Sequence, residues 1–108
     1  MKAPNAMNPE LPLELVKLET KEQYDEEGHM LRNALSAYFS LFAKQGVTVY
    51  SVRQQNVPLL ALSVRPEGYV AHIVGKNNRP PTDDELVRVT QLLADMGIET
   101  RYDPKTMA

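Results

Sequence analysis

Between residues 47 and 74 three strand-like runs follow one another, joined by turns too short for any crossover. Val47-Thr48-Val49-Tyr50-Ser51-Val52-Arg53 is rich in β-branched residues, which suit a pleated, half-buried surface. Gln54-Gln55-Asn56 then turns the chain. From Leu59 to Arg65, Leu60, Leu62 and Val64 alternate with Leu59, Ala61 and Ser63, so neither face of this run is strongly polar. It belongs at the centre of a sheet. Pro66-Glu67-Gly68 is a tight-turn signal, and Tyr69 to Val74 is the third run. Parallel neighbours need a connection of about a dozen residues or more, so these runs form an antiparallel meander.

Helical signals flank the meander. Thr20-Lys21-Glu22-Gln23 and Thr82-Asp83-Asp84-Glu85 both have capping-box spacing, a hydroxyl at the cap and a Gln or Glu three residues on. In the first helix Glu22, Asp25, Glu26 and Glu27 crowd the start, where the helix dipole favours acids, and Gly28 marks a kink or a break. Leu31, Leu35, Tyr38 and Phe42 then recur at helical spacing up to Gly46. Leu86, Val89, Leu93 and Met96 do the same before Gly97. Each helix has one apolar stripe, so both are expected on one face of the sheet. The fold class is α+β: a three-stranded antiparallel meander flanked by two helices on one face, with Leu13 to Leu18 and Ile98 to Tyr102 as optional terminal strands. The expected organisation is a flexible arm over residues 1–12, one domain over 13–102 and a tail over 103–108.

A chain of 108 residues suits a single core, which needs no metal or disulfide to hold it. There is no Cys, so thiolate metal sites and Cys nucleophiles are excluded. No apolar run is long enough to span a membrane and the first residues lack a signal core, so a cytoplasmic protein is expected. The net charge of −2 hides an asymmetry: residues 31–80 carry six cations and one acid, while both flanking segments are acidic. A basic middle implies either an anion-binding sheet or internal neutralisation by the acidic helices.

Catalytic and metal signals are absent. His29 and His72 are the only imidazoles, and no clustered His and carboxylate spacing accompanies them. Ser36, Ser40, Ser51 and Ser63 lack nucleophile-elbow glycines. No catalytic residue, metal site or cofactor is therefore assigned. The segment Gly75-Lys76-Asn77-Asn78-Arg79-Pro80-Pro81 carries more information. Its glycine permits close backbone approach, its asparagines tolerate left-handed conformations, and Lys76 and Arg79 are cations beside a helix N-terminus. It lacks the P-loop and dinucleotide-binding glycine spacings. It is either an anion-binding loop or a rigid corner between strand and helix.

Several of these segments resemble PcfJ-like proteins, in order and over about residues 18–93. Leu18-x-Thr20, Glu27-Gly28-x-x-Leu31 and Leu35-x-x-Tyr38 are similar to that family's L-(S/T), E-G-x-x-M-x-H-C-V-x-x-Y pattern. Val49-Tyr50-Ser51-Val52-Arg53 resembles its I-(Y/F)-S-L-R strand, and Pro58 with Leu59 to Val64 its P-x-A-T-x-E-(L/V) strand. Gly75 to Pro81 resembles its G-(K/R)-x-N-R-x-P loop. The family is carried by conjugative plasmids and phages, so the resemblance implies a mobile-element setting. Asn33 and Ala34 stand where the family carries its His-Cys pair, and its strand carboxylate is missing near Ser63 or Val64. A chain that keeps the scaffold and drops the pair is expected to bind rather than catalyse.

The leading expectation is a non-enzymatic accessory module contacting nucleic acid weakly through Lys76, Asn77, Asn78 and Arg79, together with Arg53. A protein-interaction module, including a homodimer through an edge strand, is the alternative. A degenerate enzyme or nucleotide-binding remnant is the third reading, and it requires a pocket shared by Asn33, His72 and Asn78.

Overall fold

The computed structural model describes residues 7, 8 and 10–102. The meander forms as its short turns require: β2 (Thr48–Gln54), β3 (Val57–Val64) and β4 (Tyr69–Val74) pair antiparallel in sequence order. Gln55 and Asn56 close the first hairpin, both with positive φ, as a two-residue turn between right-twisted strands demands. Two further strands extend the sheet. β1 (Glu14–Leu18) adds antiparallel to β2, and the two-residue β5 (Glu99–Thr100) adds parallel to β4. The order is thus β1-β2-β3-β4-β5, five strands where the meander alone had three. As expected, the second meander strand is central: Pro58 to Val64 are all buried.

Both capping boxes form. Gln23 N–H donates to Thr20 Oγ1 at 3.2 Å and Thr20 N–H to Gln23 Oε1 at 3.0 Å, opening α1 (Lys21–Leu31). The same reciprocal pair, Thr82 with Glu85, opens α3 (Asp83–Asp95). The first helical segment differs from the sequence reading in where it breaks. Gly28 lies inside α1, not at its end. Arg32 terminates the helix in a left-handed conformation at φ 51°, with Asn33 N–H donating back to Gly28 O at 3.1 Å. A 3-10 turn over Leu35–Tyr38 then leads into α2 (Phe39–Gln45). Gly28 marks a close approach of the chain rather than a kink. A Cβ there would sit 3.4 Å from Asn33 O and 3.4 Å from Ser36 N, because the returning chain packs directly on the helix backbone.

The expectation that the helices share one face is corrected. Strand pairing puts Tyr50, Leu62 and Ile73 on one face and Val49, Ser63 and His72 on the other. α3 covers the first, packing Val89 and Leu93 against Leu60, Leu62, Val70 and Ile73. α1 and α2 cover the second, where Tyr24 joins Leu18 and Val49 under Leu35, Phe39 and Phe42. Tyr24 and Phe39 meet edge-to-face at 5.0 Å. The physical reason is β3 itself. Its two faces are both apolar, and each must be removed from water, at roughly 25 cal/mol per Å² of apolar surface. One stripe per helix says how a helix packs, not on which side of the sheet. Among the described residues no helix is long and apolar enough to cross a membrane.

Of the arm expected over 1–12, residues 1–6 and 9 lie outside the described residues, as does the tail over 103–108. The described part is tied to the α3 face. Gln54 Nε2 donates to Asn8 O at 2.8 Å and Leu11 O at 3.0 Å, and Gln54 Oε1 accepts from Asn8 N–H at 2.8 Å. Arg88 on α3 spans the same two carbonyls at 3.1 and 2.7 Å. The Arg88 guanidinium therefore ties this segment to the helix, and the Gln54 amide ties it to the sheet. Arg88→Ala should lower stability by about 1.5–3 kcal/mol, the range for hydrogen bonds to charged groups. Denaturant unfolding should report that loss, and amide exchange should rise at Leu11; unchanged exchange there would contradict the role given to Arg88.

Candidate functional site

The loop after β4 is built around Arg79. Gly75 N–H donates to Arg79 O at 2.7 Å, closing the loop at its neck, and Lys76–Asn78 form a 3-10 turn with Asn77 at φ 58° and Asn78 at φ 62°. Asn accepts this left-handed backbone more readily than most residues. Arg79 folds back over Gly75 and reaches the N-terminus of α3. Its two terminal nitrogens meet Glu85 Oε1 at 2.7 Å and Oε2 at 2.9 Å, a two-pronged pair, and Nη1 also donates to Pro80 O at 2.9 Å. A Cβ on Gly75 would lie 2.9 Å from the Arg79 guanidinium carbon, so the glycine is the space that Arg79 occupies.

Glu85 is 2% exposed and also receives Thr82 N–H at 2.8 Å. Burial alone would lift its carboxyl, but Arg79 and the Thr82 cap outweigh burial and hold it below the ordinary value. The same bonds raise Arg79. Arg79 is thus committed to the corner.

Arg53 is committed as well. On β2 its Nε donates to Ser51 Oγ at 2.9 Å and its Nη2 to Glu27 Oε1 at 3.1 Å. Glu27, on the buried face of α1, is fully buried, and its Oε2 has no hydrogen-bond partner among the described residues. Burial pushes the Glu27 carboxyl above its ordinary value, and Ser51 and Arg53 offset only part of that. This places Arg53 in a buried pair rather than in the loop's surface.

A concave feature lies beside the loop. The α1–α2 linker and α2 cover only part of the second sheet face, and a groove of about 480 Å³ remains over β3 and β4. Ala61 and Ser63 form its floor and are small, which is why the groove exists. Tyr38 and Phe42 make one wall, stacked at 5.3 Å with 22° between their planes. Asn33, His72 and Asn78 all line it, as does Arg65. Of the residues singled out in the sequence, the structure brings Asn33, His72 and Asn78 together at the groove, as the third reading requires, and leaves Lys76 and Asn77 on the adjoining turn. Tyr38, Phe42 and Arg65 were not legible as site residues, because aromatic residues at helical spacing read as core. Ala61 and Ser63, the two small residues on one face of a strand otherwise made of Leu and Val, were the available signal.

Among the described residues no group of three His, Cys, Asp or Glu is placed to hold a metal ion. No protein-family model matches the chain, and comparison with curated proteins and with solved structures gives no match either.

Two outcomes test the buried carboxylates. Breaking a fully buried pair costs roughly 3–5 kcal/mol, but the Arg79 side chain is 32% exposed, so Arg79→Ala should cost about 1–3 kcal/mol at neutral pH. Because the folded-state value of Glu85 is lowered, its stabilisation is present above the unfolded value of about 4.3 and is lost as pH falls through the folded value. The Arg79→Ala deficit should therefore shrink in acid, measured by urea unfolding across pH 3–7. Glu27 has the opposite sign. Its raised folded value makes the protein lose stability as pH rises from about 4.3 through that value. Glu27→Gln should gain on the parent protein as pH rises from 4 to 7; a difference that stays flat would refute the assignment.

Proposed function

We propose that this chain is a small, non-enzymatic accessory module that binds nucleic acid weakly at the mouth of the groove. The observation that carries the reading is which cations lack acidic partners. Among the described residues Lys21, Arg53, Arg79 and Arg101 pair with carboxylates, and Arg88 is bound to backbone carbonyls. Internal neutralisation thus accounts for part of the basic middle only. Arg32, Lys44, Arg65 and Lys76 form no ion pair among the described residues. Arg65 lines the groove, Arg32 and Lys44 adjoin its lining residues Asn33 and Gln45, and Lys76 sits on the turn that brings Asn78 to it. Among the described residues Lys17 on β1 also forms no ion pair, and it belongs to another part of the sheet. Cations left free of acids around one concavity favour a polyanion.

The resemblance to PcfJ-like proteins supports a plasmid- or phage-borne setting, and the lack of a membrane-length apolar helix among the described residues fits a cytoplasmic location. Asn33 and Ala34, which stand in place of that family's His-Cys pair, both line the groove. A site that has exchanged a reactive pair for an amide and a methyl group favours binding over catalysis. The contact set differs from the one expected from sequence: Lys76, Asn77 and Asn78 stay in it, Arg65 joins it, and Arg53 and Arg79 act as supports.

Anisotropy of a labelled single-stranded RNA or DNA should rise with added protein and fall with salt, with a log–log slope of up to about −3 if all four cations meet phosphates. Lys76→Ala should weaken binding and flatten the slope by about one phosphate contact. Absence of binding at about 50 mM salt would remove this reading. A second reading rests on β1, which pairs with β2 on one side only, so its other edge can take a strand from another chain, including a second copy. Light scattering that gives a strict monomer at all concentrations would count against self-association.

A further inference from the structure

Resting on the nucleic-acid reading above, we infer that the groove seats a single unpaired nucleotide, with its base against the Tyr38–Phe42 wall and its phosphate toward Arg65 and Lys76. The dimensions come first. A cavity of about 480 Å³ lies within the ~300–1,000 Å³ typical of small-ligand sites, so it has room for one nucleotide but not for a paired and stacked duplex. Such a groove selects for bases that are already free.

The walls have the matching chemistry. Tyr38 and Phe42 lie nearly parallel, and Tyr38 is 45% exposed, so the pair is braced on one side and open on the other. An aromatic ring held rigid by a neighbour is a stacking platform for any base, since every base presents a π face. Val47, Val49 and Val74 complete an apolar lining suited to the flat faces of a ring. The polar lining residues are Asn33, Gln45, Ser63, Arg65 and His72, with Asn78 on the turn. Hydroxyl, imidazole and amide groups can donate to and accept from base edges, which is how unpaired bases are read. An apolar side chain from a protein partner would satisfy the aromatic wall, but it would leave the surrounding cations unexplained. An inorganic anion would satisfy the cations and leave the aromatic wall unused. A nucleotide uses both.

The turn over Lys76–Asn78 has a defined part in this. Its left-handed asparagines hold Asn78 at the groove while Lys76 stays on the same short turn, so one rigid corner presents a base-edge group and a phosphate-binding cation together. Arg79, clamped to Glu85, keeps that corner in place without touching the ligand.

The test compares a labelled single-stranded oligonucleotide with the duplex of the same sequence, both by anisotropy, and adds nucleoside monophosphate as competitor. The single strand should bind at least about tenfold tighter, and the monophosphate should displace it. Tyr38→Ala should weaken single-strand binding about tenfold, the scale of one lost base–aromatic stack, while leaving the salt slope unchanged. Tyr38→Trp should restore it, which separates loss of stacking from loss of fold. Equal affinity for duplex and single strand, or Tyr38→Ala and Tyr38→Trp both binding like the parent protein, would overturn the nucleotide seat and leave the weaker electrostatic reading standing. No binding of either nucleic acid at low salt would overturn both.

Discussion

The strand β3 (Val57–Val64) sets the terms for the rest of the molecule. Its residues from Pro58 onward are buried on both faces, so it cannot stand at the surface of a two-layer fold. Each face must be covered, and the chain supplies the cover from opposite ends: α1 and α2 come before the meander, and α3 follows it. The two covers are unequal. α3 is a single regular helix that brings Val89 and Leu93 down onto large side chains. The other side is roofed by a helix, a turn and a second short helix, over a strand face made partly of Ala61 and Ser63. Incomplete cover over small residues leaves a groove, and the candidate site is that shortfall.

The charges divide along the same line. Two arginines from the basic middle are drawn into the scaffold, each against a buried glutamate: Arg53 with Glu27 beneath α1, and Arg79 with Glu85 at the start of α3. The pairs differ in quality. Glu85 has Arg79 on both oxygens and a backbone amide besides, so its charge is well compensated. Glu27 has one oxygen with no partner, and its burial is compensated only in part. A buried pair of the second kind contributes less to stability than it costs to break, because removing either partner strands the other. Of what remains, Arg65 lines the groove, Arg32 and Lys44 precede its lining residues Asn33 and Gln45 in the chain, and Lys76 shares a turn with Asn78.

Local chemistry was legible in the sequence, and the relation between segments was less so. The meander could be read because its turns exclude other connections, and both capping boxes because Thr with Gln or Glu at the third position has one geometric use. The central place of β3 followed from its lack of a polar face. The side taken by each helix was not legible, since an amphipathic stripe looks the same on either side of a sheet. The end of α1 was hidden because Arg32, not a glycine, adopts the left-handed cap, while Gly28 serves a close backbone approach inside the helix. At the loop, Gly75, Asn77 and Asn78 did mark a shaped turn. The partners of Arg53 and Arg79 depend on which buried glutamates fold beneath them, and spacing does not encode that. The groove was the least visible feature, because it is defined by atoms that are missing from Ala61 and Ser63.

The loop at Gly75 also limits how this chain can change over time. Arg79 lies in the volume that any side chain at position 75 would need, and it holds the carboxylate that caps α3. Positions 75, 79 and 85 therefore behave as one unit of inheritance. A larger residue at 75 makes Arg79 shift from its present path over the glycine, and a smaller residue at 79 leaves Glu85 buried with only its Thr82 cap. Each single step goes through a less stable protein. Lys76, on the same turn but outside that unit, can vary at little cost to the fold, whereas the left-handed backbone at Asn77 favours Asn or Gly. The corner thus holds its shape across descendants while the cation it displays is free to be tuned.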